Sequence, residues 1–554
     1  MSSISQFRVE DINQQNPIFS DFRVMVETAF YGNHVKKVST LEEAYVLAKD
    51  APGTIVTDLP VYQPEELGLP SDAKILVDNC GGIVGRTSAA RRFINQQTET
   101  STNYGVILRE ALFQAEKKAF YRSRVVVGLD EDFMINGHVM VPEGYEQMLY
   151  SYLLNFQVVN EEYQNKYQQS KPYAEGDIFL FADPDWSHPD FPLGLALFDP
   201  DHNVAAILGL RYFGEFKKAT LTLAWTIAHR NNFVSCHGGM KQFELEDKSH
   251  YTMAAFGLSG SGKSTITLAN HQHKYPIKVL HDDAFVISKK DGSSIALEPA
   301  YFDKTQDYPM ASQDIQYFLT AQNVGVTMDN NNRKVLVTED IRNGNGRTVK
   351  SRFATPNRVN HLSEKIDAIF WIMKDDSLPP LVKLEGDVLP AVFGATLATK
   401  RSTAENLDPN VKIDNLVIEP FANPFRAYPL GEDYLSFKTL FSTHDIDCYI
   451  LNTGFYNDKK VTAKITLSLI EKIIENQASF EPMGPLAGLS YLPVAGYEPD
   501  FNDKKYMELL KVRMETRLNF IREKETINHG FDSLPTEASL AMTRLIKTLE
   551  KYLR

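Results

Sequence analysis

Cysteine is scarce. There are three in 554 residues, Cys80, Cys236 and Cys448, far apart in the chain. That excludes a disulfide framework and points to a reducing compartment. No apolar run approaches the length that crosses a bilayer, so no membrane partner is expected. Positive charge is also short: 58 Lys and Arg stand against 71 Asp and Glu, a net charge of −13. No basic tract interrupts that acidic background, which argues against nucleic acid as a partner. The opening Met1-Ser2-Ser3-Ile4-Ser5-Gln6 has neither the basic nor the apolar region of a secretory signal. These absences together lead us to expect a soluble, cytoplasmic protein. Internal repeats are absent too. What remains is ordinary globular composition, 43% hydrophobic and 23% charged, in a chain too long for one core, so two or three domains are expected.

One stretch carries explicit chemistry. Gly257-Leu258-Ser259-Gly260-Ser261-Gly262-Lys263-Ser264-Thr265 fits the phosphate-binding pattern G-x-x-x-x-G-K-[ST]. Three glycines let successive backbone N–H groups turn around a polyphosphate without Cβ clashes. Lys263 is of a length to reach the β- and γ-phosphates, and the Ser264 hydroxyl suits magnesium. The context agrees, with a strand expected over 251–256 and a helix starting at Ser264. A nucleotide site here is a local positive pocket in an acidic protein.

Other segments hold candidate groups. A strand over 73–77 runs into the glycine-bounded loop 81–88, which presents Arg86, a side chain able to grip an anion in bidentate fashion. Helices are expected over 110–121 and 145–152, and strands over 123–128 and 177–181, with 160–176 read as a loop or exposed helix. An apolar strand over 204–210 leads into Arg211-Tyr212-Phe213-Gly214-Glu215-Phe216-Lys217-Lys218. The adjacent lysines are read at the end of that strand, ahead of a helix over 219–229. His237 closes an apolar strand at a pair of glycines. A strand over 277–281 ends in Asp282-Asp283, a placement that in phosphate-loop proteins holds the metal on the triphosphate. Later come a hairpin over 324–337, an extended run presenting Arg352, buried strands over 368–373 and 448–452, and an amphipathic helix over 464–476. Residues 391–405 are read as mobile and 481–497 as surface loop. Two charged helices are expected in the last fifty residues.

Taken in order, these motifs resemble ATP-dependent phosphoenolpyruvate carboxykinase, from about Gly81 to Ile474. The family's R-Y-x-G-E-x-K-K stands at 211–218, its S-x-H at Ser235-Cys236-His237 and its phosphate loop at 257–265. Its paired aspartates stand at Asp282-Asp283, its L-P-P turn at Leu378-Pro379-Pro380 and its N-T-G turn at Asn452-Thr453-Gly454. The resemblance implies a mixed α/β, two-lobed fold with a P-loop mononucleotide-binding C-terminal lobe, divided into residues 1–235 and 236–554. It implies manganese held by Lys218, His237 and Asp283, and magnesium and triphosphate handled by Lys263 and Ser264. Arg86, Tyr212 and Arg352 would grip oxaloacetate and the transferred phosphoryl group, with the base between Lys460, Val461 and Thr466. The implied reaction converts oxaloacetate and ATP to phosphoenolpyruvate, ADP and CO2, a gluconeogenic or anaplerotic step. The implied partners are small molecules, in a monomer or small homo-oligomer. A related kinase acting on another small carboxylate, or a nucleotide-binding regulator without turnover, are the alternatives.

The motifs are not all intact. The family's R-S-P-K-D is Arg86-Thr87-Ser88-Ala89-Ala90 here, its G-D-D-E is His281-Asp282-Asp283-Ala284, and its T-E-R-G is Thr399-Lys400-Arg401-Ser402. Lys460 stands where the family stacks an arginine on adenine.

Overall fold

A computed structural model describes residues 1–78, 88–96, 103–258, 260–339, 346–400 and 416–554. These fall into two compact units. One contains 1–227 and 297–356, the other 228–296 with the described residues from 357 onward. The fold is mixed α/β. No helix among the described residues is long and apolar enough to cross a membrane.

The first unit is built on an eight-stranded mixed sheet. Three of its strands, Ile178–Asp183, Leu195–Asp199 and Val204–Leu208, are buried along their whole length. Val204–Leu208 runs parallel to the first of these and antiparallel to the second. Val26, Phe30, Leu108, Phe181, Leu197 and Leu208 share a core cluster against it. A five-stranded sheet lies in the same unit, and there Phe318–Gln322 pairs in parallel with Lys74–Asp78, Thr320 beside Leu76. That pairing ties residues 297–356 to the N-terminal segment rather than to their neighbours in sequence.

The second unit is built on an eight-stranded sheet whose centre is three parallel strands: His250–Phe256, Ala368–Met373 and Asp447–Asn452. Alternate residues Met253, Ala255, Phe370, Ile372, Tyr449 and Leu451 form one apolar face, covered by Ile266 and by Leu469, Ile470 and Ile473 of the helix Ala463–Ile474. A four-stranded sheet, with Phe233–His237 at one edge, completes the unit.

Several elements differ from the sequence expectation. The helix expected over 110–121 spans Tyr104–Ala115, because the Asn103 side chain accepts from Val106 N and sets the start earlier. The polar stretch from Asn160 is a capped helix, Glu161–Gln169, that buries Tyr163 and Tyr167 one turn apart. Of residues 391–405, 391–395 lie in the buried helix Val388–Ala395 and 398–400 in a short strand, while 401–405 lie outside the described residues. Glu481–Pro482 and Leu489–Tyr491 are the last two strands at one side of the second unit's large sheet, Glu481–Pro482 at the edge, rather than loop. The helix expected over 219–229 begins at Phe213, so Lys217 and Lys218 are helical.

Candidate functional site

The loop 257–265 leaves the C-terminal end of His250–Phe256, one of the three parallel strands at the sheet's centre, the end at which ligands bind in open α/β folds. A Cβ on Gly257 would fall 2.3 Å from Ser261 Oγ and 2.9 Å from Ile372 Cβ, so the close turn admits only glycine. Gly262, with φ of +98°, precedes the helix Lys263–Leu268. Ser261 N donates to Leu258 O at 3.0 Å and closes the loop. Lys263 is buried, whereas Ser264 and Thr265 are exposed at the start of that helix. The Ser261 hydroxyl is buried without a hydrogen-bond partner among the described residues. A tight glycine turn, a lysine and a spare buried hydroxyl suit a polyphosphate.

Asp282 and Asp283 fill the short connection between Ile277–His281 and Ala284–Ser288, where the chain passes from one sheet to the other. Asp283 N and Ala284 N both donate to His281 Nδ1, at 3.0 and 3.2 Å, which fixes the turn. His237 lies opposite Ala284 on the neighbouring strand, which brings its ring beside this turn. The Asp283 Oδ1 atom is 2.9 Å from His237 Nε2 and 3.7 Å from Lys263 Nζ. His237 Nδ1 lies 2.5 Å from Ala422 O. A carbonyl only accepts, so Nδ1 carries hydrogen and Nε2 is turned toward Asp283. A bond of that kind from the other ring nitrogen is what orients a metal-binding histidine. Asp282 is buried next to it. Among the described residues no three His, Cys, Asp or Glu side chains gather to hold a cation. His237 and Asp283 are two side chains of the kind a divalent cation takes.

The candidates in the first unit are placed as follows. Lys217 is fully buried in an ion pair with Glu298, 2.9 Å away, and Asn155 Nδ2 also donates to that carboxylate at 2.6 Å. Lys218, about 100° further round the helix, is half-buried, its Nζ 5.9 Å from the Trp225 ring centre. Glu215 of the same motif is gripped by Arg91 through two bonds of 2.7 and 2.9 Å. Tyr212 folds its ring back over Gly214, where a Cβ would sit 2.2 Å from Tyr212 Cζ. Arg352 lies in the turn Arg352–Ala354, reaches Glu66 O at 3.4 Å and lines a cavity of about 550 Å³ with Glu42, Glu65 and Tyr163. Neither Tyr212 nor Lys218 lines that cavity. Arg86 and Ser259 lie outside the described residues.

Lys460 ends the hairpin that follows the N-T-G turn, Val461 comes next, and Thr466 lies in the helix Ala463–Ile474. Lys460 is exposed opposite Phe455. Val461 N donates to Gly454 O at 2.9 Å, and Thr466 is buried with its hydroxyl 3.3 Å from Thr462 O. The loop 257–265 also has partners that were not among the candidate site residues. Thr453 Oγ1 donates to Ser261 O at 2.7 Å, and Lys374 Nζ to Gly260 O at 2.8 Å. On the strand Gly239–Glu244, Lys241 Nζ reaches Ile266 O at 2.6 Å, Ala269 O at 3.3 Å and His271 Nε2 at 2.9 Å. His271 Nδ1 in turn lies 2.7 Å from Glu471 Oε1. Burial lowers Lys241 to about 7, and burial, then Lys241 itself, lowers His271. The position of Lys374 one residue past a buried parallel strand was a usable signal; nothing in the sequence marks Lys241 as buried.

The family model described as phosphoenolpyruvate carboxykinase matches residues 87–483, well over half the chain. The phosphoenolpyruvate carboxykinase (ATP) of Aeropyrum pernix is 23% identical over 342 residues, 58% of this chain and 67% of its own length. That of Staphylococcus aureus strain Newman is 26% identical over 301 residues, 50% of this chain and 51% of its own length. The aligned part thus spans about two thirds of one relative and half of the other.

Proposed function

The chain belongs to the phosphoenolpyruvate carboxykinase family, and from that premise we propose that it decarboxylates and phosphorylates oxaloacetate with ATP, giving phosphoenolpyruvate, ADP and CO2. The observation that carries the reading is Asp283, whose carboxylate stands next to both the His237 imidazole and the phosphate-loop lysine Lys263. In this proposal metal ligand and triphosphate cradle share one carboxylate.

The residues divide the work. Lys263 and the N–H groups of the loop 257–265 hold the triphosphate. Arg352, Tyr212 and Arg86 bind and orient the dicarboxylate. Val461, Thr466 and Lys460 border the base. His237 and Asp283, with Lys218 and Asp282, would hold a manganese ion and Ser264 a magnesium ion, and these would supply positive charge to the keto and phosphate oxygens. Loss of CO2 from a β-keto acid leaves an enolate oxygen, already a nucleophile for the γ-phosphate, so no side chain has to remove a proton from it. What the chain must provide is charge: Lys263 and Arg352 are the fixed cations proposed to face the negative charge that spreads over the transferred group. We also place the enzyme in the cytoplasm, a reducing compartment that suits three scattered cysteines.

The test is direct. Purified protein is given oxaloacetate, ATP, Mg²⁺ and Mn²⁺, and phosphoenolpyruvate is followed. Turnover is expected, and Lys263→Ala and His237→Ala should each lower it by at least about a hundredfold, since each removes charge stabilisation in the transition state. Nucleotide binding without product would overturn the catalytic reading, and near-normal turnover in either variant would remove that residue from it.

A further inference from the structure

A phosphate loop binds anions only while its N–H groups converge on the ligand and its carbonyls face away. Here two successive carbonyls are held from outside. Lys374 Nζ donates to Gly260 O at 2.8 Å, and Thr453 Oγ1 donates to Ser261 O at 2.7 Å. Both residues directly follow parallel strands: Ala368–Met373, beside the strand feeding the loop, and Asp447–Asn452, the next one over. Sheet geometry thus delivers both donors to the same edge as the loop.

The two donors stand on a braced support. Thr453 N donates to Met373 O at 3.0 Å and Lys374 N to Ala398 O at 3.3 Å. Asn452 Nδ2 donates to the carbonyls of Asp375, Leu378 and Phe455, at 2.9, 2.6 and 3.1 Å. Asp375, next to Lys374, is fully buried. One of its oxygens accepts from Ser377 N and Oγ, the other from Arg517 Nη2 at 2.7 Å. A buried carboxylate paired with a buried guanidinium is costly to move. The main chain at Lys374 is therefore fixed, while its ammonium stays half-exposed at the loop.

We propose that Lys374, together with Thr453, is a positioning residue of the phosphate loop: it pins the Gly260 carbonyl outward so that the loop's N–H groups stay turned to a bound polyphosphate. Released, that peptide could rotate and aim its negative end at the anion. The proposal rests on the reading of the loop as a polyphosphate site and goes beyond it in naming what keeps the loop ready.

The experiment uses the full chain and four proteins: wild type, Lys374→Met, Lys374→Arg and Thr453→Val. Each is titrated by calorimetry with MgATP and with inorganic tripolyphosphate, and each is melted without ligand. Loss of one charge-assisted bond should weaken Lys374→Met for both ligands roughly tenfold. Thr453→Val should weaken both in the same direction. Lys374→Arg, which keeps a donor and a charge, should bind within about threefold of wild type. The unliganded Tm of Lys374→Met should move by no more than about 2 °C, which a purely structural lysine would not satisfy. In turnover, KM for ATP should rise more than kcat falls. Unchanged binding of both ligands by Lys374→Met would overturn the proposal. So would weakened ATP binding with normal tripolyphosphate binding, because that would place Lys374 on the nucleoside. A wild type that binds neither ligand would instead sink the polyphosphate reading of the loop.

Discussion

His237 shows how much one backbone carbonyl decides. Ala422 O accepts from its Nδ1, so the ring presents Nε2 to Asp283, 2.9 Å away. Lys217 and Lys218 show the converse, two identical neighbours with different fates. On a helix they point about 100° apart, so one is buried in an ion pair with Glu298 and the other remains half-exposed. Read as a strand end, the pair gave no hint of that division. Asp433 offers a pH test at this scale. It is fully buried, accepts from Tyr428 OH at 2.8 Å through one oxygen, and its other oxygen has no hydrogen-bond partner among the described residues. Burial pushes its carboxyl up to about 6 from 3.8, with Arg426 and the Tyr428 bond opposing. The unfolded chain releases this proton near its ordinary value while the native one keeps it. Stability should therefore fall as pH rises from about 4 through 6, then level off. Asp433→Asn cannot ionise. Relative to wild type, it should gain on the order of 3 kcal/mol between pH 4 and pH 7, read from urea unfolding at each pH. A pH-independent difference between the two proteins would refute this.

At the scale of elements, the loop and its donors Lys374 and Thr453 are placed by three parallel strands ending together. Their apolar, β-rich sequences were readable because a buried strand advertises itself by its own composition. The loop, Lys374 and Thr453 follow from where those strands stop. The short helix Lys263–Leu268 is steadied at its far end by Lys241, which reaches the Ile266 and Ala269 carbonyls and connects through His271 to Glu471 on the helix that carries Thr466. Lys241→Met leaves those carbonyls without their donor. Roughly a tenfold loss of MgATP affinity is expected from Lys241→Met, the size of one or two buried hydrogen bonds. Fluorescence titration with a nucleotide analogue would check it, and unchanged affinity would mean that the helix is held well enough by Ile266 in the core. Helix boundaries were the least legible feature. Caps such as Asn103 and Asn160 set the starts of Tyr104–Ala115 and Glu161–Gln169, and a single side chain's choice of partner is invisible in hydrophobic periodicity.

For the whole molecule, two compact units share the chain, and the phosphate loop, His237 and Asp283 all belong to the second. A ligand that binds the native state alone stabilises it by mass action. MgATP at a hundred times its Kd should therefore add about 2.7 kcal/mol to the stability of the binding unit. Hydrogen exchange followed peptide by peptide should show the added protection on 251–268 and not on the strands Ile178–Asp183 and Val204–Leu208 of the other unit. Protection spread evenly over both would contradict this assignment.

Sequence alone determined the family and pointed to the glycine-lysine loop as a candidate site. A glycine turn ending in lysine is a contiguous device, and its N–H groups converge through φ and ψ of neighbouring residues. The same holds for the buried strands and for the aspartate pair after one of them. Tertiary structure alone decided which side chains meet. Only folding put Asp283 between His237 and Lys263, Lys374 and Thr453 on adjacent loop carbonyls, and Thr320 beside Leu76 so that 297–356 joins the N-terminal segment. These pairings depend on strand register and on burial, quantities set by residues distant in the chain, and so no local pattern encodes them.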